Sequence, residues 1–374
     1  MLRPEFFINK LAESDITCFA GVPDSLLKSF CAYLTDHVDA RNHTIAANEG
    51  GAVAIAAGHF LATGHPACVY MQNSGEGNAV NPLVSLTDPL VYGIPVLLLI
   101  GWRGRPGEHD EPQHSKQGMI TTGLLSVLGI RFEVLSKDEA ESAIQIGRAV
   151  AALQQNEVFA LIAEKDTFEE YPCSDKGEDS FSMSREEAIA AVAASLGERD
   201  CIVSSTGMIS RELFEYRTAM AQGHERDFLT VGSMGHASQI ALGIAMAQPD
   251  RRVWCFDGDG AAIMHMGGLA IAASRRPDNF IHVVFNNGAH DSVGGQPTVG
   301  LQIDLPGVAK AMGYAAIRSV DESEALSVIL NEVKNLSGPV FLEIKVTKGH
   351  RKNLGRPTTA PVENKEAFMG FLKR

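Results

Sequence analysis

The stretch Val253-Trp254-Cys255-Phe256-Asp257-Gly258-Asp259-Gly260 runs from an apolar segment straight into two aspartates spaced by glycines. An apolar run of this length, closed by a turn signal, reads as a buried strand. The next such run, Phe280 to Phe285, closes in Asn286-Asn287-Gly288, so Asn287 follows Asp259 by 28 residues. Adjacent loops thus offer a carboxylate and an amide, both hard oxygen donors suited to a divalent cation, and glycines let the backbone approach phosphate oxygens. The pair reads as a metal and diphosphate site. Taken singly, each half is also an ordinary turn sequence.

Working outward, the chain reads as a doubled α/β pattern. The first half predicts a helix from Pro4, a strand over Thr17–Ala20, a helix over Ser25–Leu34, a short strand near Ile45 and a Gly/Ala-rich helix from Gly50 to about Thr63. Ala67–Met71, Val96–Ile100 and Val158–Ala163 are continuous apolar runs, as expected of parallel strands covered on both faces. The grammar restarts after Ser184, with helices near Arg185–Leu196, over Ile209–Met220 and from His236, and strands at Cys201–Ser204, Val253–Phe256, Phe280–Phe285 and Val340–Val346. Gly51 against Gly235 sets the halves at an offset of 184 residues, and Val69–Gly77 then answers Val253–Gly260. We expect two related doubly wound parallel-sheet domains, residues 1–165 and 184–374, joined by a polar linker over 166–183.

Composition narrows the class. The chain has 374 residues, 45% of them apolar, and a formal net charge of −13, which argues against non-specific binding to nucleic acid or anionic membranes. An anionic ligand must then be drawn by a local cation. The six cysteines, at 18, 31, 68, 173, 201 and 255, form no C-x-x-C pair and read as reduced core residues. Met1–Lys10 carries no apolar leader core, and the run Gly93–Trp102 is too short to span a bilayer, so a cytoplasmic protein is the expectation. An EF-hand is excluded because Ala261-Ala262-Ile263-Met264 follows the acidic turn, and no G-x-G-x-x-G or G-K-[ST] loop is present.

The G-D-G at 258–260, the N-N at 286–287, and Asn48-Glu49-Gly50 ahead of a Gly/Ala helix together resemble the thiamine diphosphate-dependent enzymes over nearly the whole chain. The resemblance implies a pyrimidine-binding first domain, a diphosphate-binding second domain and no middle domain. It implies thiamine diphosphate and Mg2+ as cofactors. Glu49 then matches the carboxylate that bonds the coenzyme's pyrimidine ring, although on local grounds it also suits a helix N-terminus. Gly232-Ser233-Met234-Gly235 matches the segment that bends the coenzyme, with Met234 as wedge and Gly232 as carbonyl acceptor; read alone, Met234 is core filler. Asp259, Asn287 and the Ala289 carbonyl match the metal ligands, while Gly258, Gly260, Ala261, Ser205 and Thr206 match the phosphate-facing backbone.

With only a linker between the two domains, the chain resembles the compact decarboxylase group that includes the phosphonopyruvate and sulfopyruvate decarboxylases. The loops Gly101–His114 and Ser292–Thr298 resemble that group's substrate-facing segments. A substrate carrying a carboxylate and a second anion needs cations and donors, which the first loop and the residues just after it supply in Arg103, Arg105, His109, Gln113, His114 and Lys116. Ser25 and His290 join them as candidate substrate contacts, and Asp291 is a further residue placed to reach the substrate. Asp24 and His114 are the candidates for proton handling, Asp24 being also a natural helix cap. The implied reaction is decarboxylation of 3-phosphonopyruvate to phosphonoacetaldehyde. Sulfopyruvate decarboxylation and a catalytically silent regulatory subunit stand as alternatives. A self-associated chain is implied too, with Glu49 of one subunit facing Met234 and Asp259 of another. The tail from Lys348 to Arg374 is left as a lid or a strap.

Overall fold

Strands of uninterrupted apolar character have both faces to bury, and the chain answers with two parallel six-stranded sheets, each sandwiched by helices. The computed structural model describes residues 1–171 and 181–374; part of the expected linker, 172–180, lies outside the described residues, as does Cys173. Two compact units emerge, Met1–Lys176 with Val293–Gln296, and Gly177–Ser292 with Pro297–Arg374.

The first unit contains strands β1 (Phe19–Gly21), β2 (His43–Ile45), β3 (Ala67–Gln72), β4 (Val96–Gly101), β5 (Arg131–Val134) and β6 (Phe159–Ala163), in the order β2-β1-β3-β4-β6-β5. Its helices are α1 (Pro4–Ala12), α2 (Lys28–His37), α3 (Glu49–Thr63), α4 (Glu76–Pro82), α5 (Pro112–Val127) and α6 (Glu139–Leu153). Alternation along the strands divides the core into two layers. Cys68, Tyr70, Leu97 and Leu99 pack with Phe7, Phe30 and Phe168 on one face, while Ala67, Val69, Met71, Leu98 and Ile100 meet Ala52, Val53, Ala56 and Ala57 of α3 on the other. Small side chains let the Gly/Ala-rich α3 pack against this face of the sheet.

The second unit contains β7 (Cys201–Ser204), β8 (Asp227–Leu229), β9 (Val253–Gly258), β10 (Phe280–Asn286), the two-residue strands β11 (Ala289–His290) and β12 (Gln296–Pro297, which begins on the last residue of the other unit), β13 (Ala316–Val320) and β14 (Val340–Lys345). Its helices are α7 (Arg185–Ser195), α8 (Met208–Ala219), α9 (Ala237–Ala247), α10 (Asp259–Met264), α11 (Gly267–Arg275), α12 (Leu305–Met312), α13 (Ser323–Val333) and α14 (Pro361–Leu372). The sheet order is β13-β14-β10-β9-β7-β8. Counting only sheet strands in chain order, both sheets read 2-1-3-4-6-5, so the internal echo seen in the sequence is a shared topology. In such sheets the direction of winding reverses between the first and third strands, and ligands bind outside the strand ends at that point.

The helix expected from Ser25 starts instead at Lys28, because the Asp24 carboxylate accepts the Leu26 amide (3.0 Å) and holds residues 24–27 in a turn. Cys18, Cys31, Cys68, Cys201 and Cys255 are buried and unpaired in disulfides, as read from the sequence. Among the described residues no helix is long and apolar enough to cross a membrane.

Candidate active site

In the second unit the predicted metal residues meet at the ends of β9 and β10, beside the reversal point between β7 and β9. Parallel pairing of β9 with β10 sets Phe285 opposite Gly258, so the following residues leave the sheet side by side. Asp259 is the first residue of α10 and Asn287 follows β10; both are buried. The Thr298 hydroxyl donates to Asp259, and Thr298 is tied in turn through its amide to the Gly288 carbonyl (2.9 Å). Gly300 lies directly over this pair: a side chain there would overlap the Asp259 carboxylate and crowd Asn286. Asn286, the first of the two asparagines, is structural, donating to the Gly300 carbonyl and to Glu343 (2.8 Å each). Burial pushes the Asp259 carboxyl up to about 6, against the Thr298 hydroxyl and the Asp259, Gly260 and Asn287 backbone amides, which pull it down. A buried carboxylate beside an amide carbonyl, under a glycine that leaves room, is a donor set that fits a hard divalent cation.

The phosphate-facing candidates surround this loop. Gly260 and Ala261 lie in the first turn of α10, and Ser205 and Thr206 follow β7, with the Ser205 amide bonded to the Phe256 carbonyl (2.7 Å). Gly232–Gly235 forms the bend before α9; Ser233 sits at φ +52° and Met234 is half-buried rather than part of the core. His290 packs onto Gly260, and burial holds its imidazole down at about 4, so the ring is neutral at physiological pH. Asp291 departs from the expectation of a substrate contact: its carboxylate is taken by Asn287, Arg185 and the Gly349 amide. A second polar set, Cys255, Asp257 and His282, is sealed inside the same sheet, with His282 bonded to Tyr314 (3.2 Å) and Asp257 (3.4 Å).

In the first unit Glu49 opens α3, whose cap is the Asn48 side chain accepting the Gly51 amide (2.8 Å). The Glu49 carboxylate is buried, accepts from Asn78 (2.8 Å), and lies against Gly75, where any side chain would overlap it. A second cluster spans the reversal point between β1 and β3. Asp24, fully buried, accepts from Gln72 (2.6 Å), and burial raises its carboxyl despite that bond and the charge of Arg103. Arg103 reaches the Ser25 hydroxyl (2.6 Å) and grips Asp110 through two nitrogens (2.8 and 2.5 Å). His114 bonds Asp110 as well (3.0 Å). Burial opposes ionisation of Asp110, yet Arg103 and His114 outweigh it and hold the carboxyl well below the usual range.

Ser25, Arg103, Asp110 and His114 are therefore one hydrogen-bonded group, and Asp24 joins it through the charge of Arg103. Arg105 stands apart, paired with Glu164 (2.8 Å) and Glu108 (3.2 Å) and stacked on Trp102; Gln113 is half-buried and Lys116 exposed on α5. Sequence reasoning missed Asp110, Gln72, Asn78, Thr298 and Gly300. A surface hollow of about 240 Å³, lined by Leu83, Thr87, Asp88, Arg131 and Glu157 among others, contains none of the site residues.

Glu76, at the start of α4, was also missed. It is buried, neither carboxylate oxygen has a hydrogen-bond partner among the described residues, and burial raises its carboxyl to about 8, with the neighbouring Thr121 hydroxyl pulling the other way. The folded chain thus binds a proton that the unfolded chain releases near pH 4.5. Its contribution to stability is complete below that pH and is lost as pH rises through about 8. Glu76→Gln is expected to melt higher than the parent at pH 8, by on the order of 3 kcal/mol in stability. The difference should vanish near pH 4. Parallel melting curves across that range would refute it.

Residues 4–124 match the model for the N-terminal TPP binding domain of thiamine pyrophosphate enzymes, and residues 205–344 match the C-terminal TPP binding domain. A phosphonopyruvate decarboxylase of Streptomyces viridochromogenes is 36% identical, the match covering 96% of this chain and 91% of that protein. One from Streptomyces hygroscopicus is 35% identical over 95% and 90%. A sulfopyruvate decarboxylase of Methanosarcina acetivorans is 27% identical over 98% and 96%.

Proposed function

The chain belongs to the thiamine pyrophosphate enzymes, and from that premise we propose that it decarboxylates 3-phosphonopyruvate to phosphonoacetaldehyde and carbon dioxide, with thiamine diphosphate held through Mg2+. The observation that carries the substrate is the near-full-length likeness to two phosphonopyruvate decarboxylases, at higher identity than to a sulfopyruvate decarboxylase that is also matched over nearly its full length. When bound, the coenzyme supplies the electron sink for the pair left behind as the carboxylate departs.

The chain's own residues bind, orient and handle protons. Asp259, Asn287 and the Ala289 carbonyl would hold the cation, and the Gly258–Ala261 and Ser205–Thr206 backbones the phosphates. The Gly75 floor leaves Glu49 room to meet a pyrimidine nitrogen. Met234, half-buried in a backbone bend, suits a wedge. Arg103, kept cationic and oriented by Asp110 and Ser25, would receive an anionic substrate group beside His114, with Gln113, Lys116 and His290 as further candidate contacts, while Arg105 is committed to Glu164 and Glu108. Asp24, whose carboxyl is raised by burial, is suited to return a proton after carbon dioxide leaves.

Self-association is part of this reading, with Glu49 of one copy completing the Met234 and Asp259 site of another. Exposed apolar residues of the first unit support it: Leu61, Leu90, Val91, Tyr92, Met119 and Val127 all face solvent in the single chain. The setting proposed is the cytoplasm. The test is a coupled assay of aldehyde release from 3-phosphonopyruvate and from sulfopyruvate, with and without Mg2+. Release from the phosphonate, dependent on Mg2+ and exceeding that from the sulfonate, is expected. Preference for the sulfonate would reassign the substrate, and release from neither would favour a regulatory subunit.

A further inference from the structure

Asn287 has two chemically opposite ends, and only its carbonyl oxygen can serve a cation. Its orientation is fixed from both sides. The Nδ2 group donates to Asp291 Oδ2 (2.6 Å), and Oδ1 accepts the Ala289 amide (3.0 Å). Because a carboxylate only accepts, Asp291 excludes the flipped amide, which would turn its NH2 toward the metal. Oδ1 keeps a lone pair for the ion.

Asp291 is itself held on every side. Arg185 Nη1 donates to its Oδ2 (2.8 Å), and the Gly349 amide lies within reach of both oxygens (3.1 and 3.0 Å). The remaining Arg185 nitrogens lock onto Glu212 of α8 (2.8 and 3.0 Å), and Arg185 Nη2 also reaches the Gly349 carbonyl (3.2 Å). Arg185 is the first residue of α7, placed by the Ser184–Glu187 capping box. The side chains of Arg185, Glu212 and Asp291 are only 6%, 2% and 7% exposed. Two carboxylates against one guanidinium leave a surplus buried negative charge next to Asn287, an arrangement a divalent ion would offset.

The segment carrying Gly349 is fastened to the same two helices. Arg351 pairs with Glu186 (2.9 Å) and with Glu215, and Arg211 donates to the Leu354 and Gly355 carbonyls (2.5 and 2.6 Å). This part of the tail is a strap, and its amide completes the cage around Asp291.

We propose that Asp291 is a positioning residue for the metal ion, aiming the Asn287 carbonyl, and that Arg185, Glu212 and the Gly349 strap hold Asp291 in turn. The inference rests on the metal-site reading of Asp259 and Asn287. Its test is calorimetric titration of thiamine diphosphate into the purified full chain across a Mg2+ series, for the parent, Asp291→Asn and Asp291→Ala. Asp291→Asn nearly preserves shape, so it keeps the test open if the alanine variant melts early. The Mg2+ concentration giving half-maximal uptake is expected to rise roughly 10- to 100-fold in Asp291→Asn. Uptake and turnover should both recover when Mg2+ is raised, a split that general damage to the fold would not give. Uptake by Asp291→Asn at the parent's Mg2+ requirement, or a loss that excess Mg2+ does not restore, overturns the inference. Absence of Mg2+-dependent uptake in the parent would instead remove the metal-site reading beneath it.

Discussion

Glu49→Gln should fold as the parent does and still take up thiamine diphosphate, yet turn over roughly 10²- to 10⁴-fold more slowly, the span general acid–base groups supply. The substitution exchanges one carboxylate oxygen for an NH2 group and little else. Glutamine keeps an oxygen to accept the Asn78 side chain, which now bonds Glu49 at 2.8 Å. It fits the same space over Gly75, where no larger neighbour could stand. The helix cap, Asn48 to Gly51, is untouched, so the only structural loss is a negative charge at the start of α3, typically about 0.3–1 kcal/mol. What disappears is a carboxylate able to bond a protonated ring nitrogen. Turnover would be followed by aldehyde release, and uptake by calorimetry on the same sample. Activity within tenfold of the parent, with normal uptake, would remove Glu49 from the proton chemistry. Gly75→Ala offers a converse check, since it displaces the carboxylate without changing it.

How far the sequence could be read depended on whether a feature was local. β3, β4, β6, β9 and β10 are almost wholly buried, so they appear as unbroken apolar runs and were legible. β5 is half exposed at the sheet edge, with Arg131 and Glu133 in it, and left no such trace. Asp259 and Asn287 were legible because glycines and a second asparagine mark their turns. Thr298 and Gly300, which seat Asp259, come about forty residues later without a motif of their own. From sequence alone, the loop after β4 reads as a cluster of cations for an anion. Asp110 within it takes up Arg103 and His114, and that pairing depends on how the loop folds back. Just past the metal loop, Asp291 reads as able to reach the substrate, but Arg185, 106 positions earlier in the chain, claims its carboxylate.

Asp259→Asn should separate two effects of one buried carboxylate: the ligand-free chain is expected to melt higher than the parent, and the gain from Mg2+ and thiamine diphosphate is expected to disappear. Asp259 is 2% exposed, and without a cation its charge is met by the Thr298 hydroxyl and backbone amides rather than by an opposite charge. Removing that charge relieves a desolvation cost, which is why the carboxyl already stands at about 6. The amide can still accept from Thr298, so the seat beneath Gly300 remains filled. A ligand that binds only the folded state stabilises it by RT ln(1 + [L]/Kd), about 2.7 kcal/mol at a hundredfold excess over Kd. The parent should show a rise of that order when both ligands are added together. The variant, having lost the charged ligand of the pair, should show almost none, and its turnover should fall by more than about a hundredfold, as expected where a cation provides several kcal/mol of charge stabilisation. Paired melting curves with and without the two ligands make the measurement. A variant that melts lower when ligand-free yet still gains the full ligand shift would mean that Asp259 is a structural acid, and that the cation is held by other oxygens.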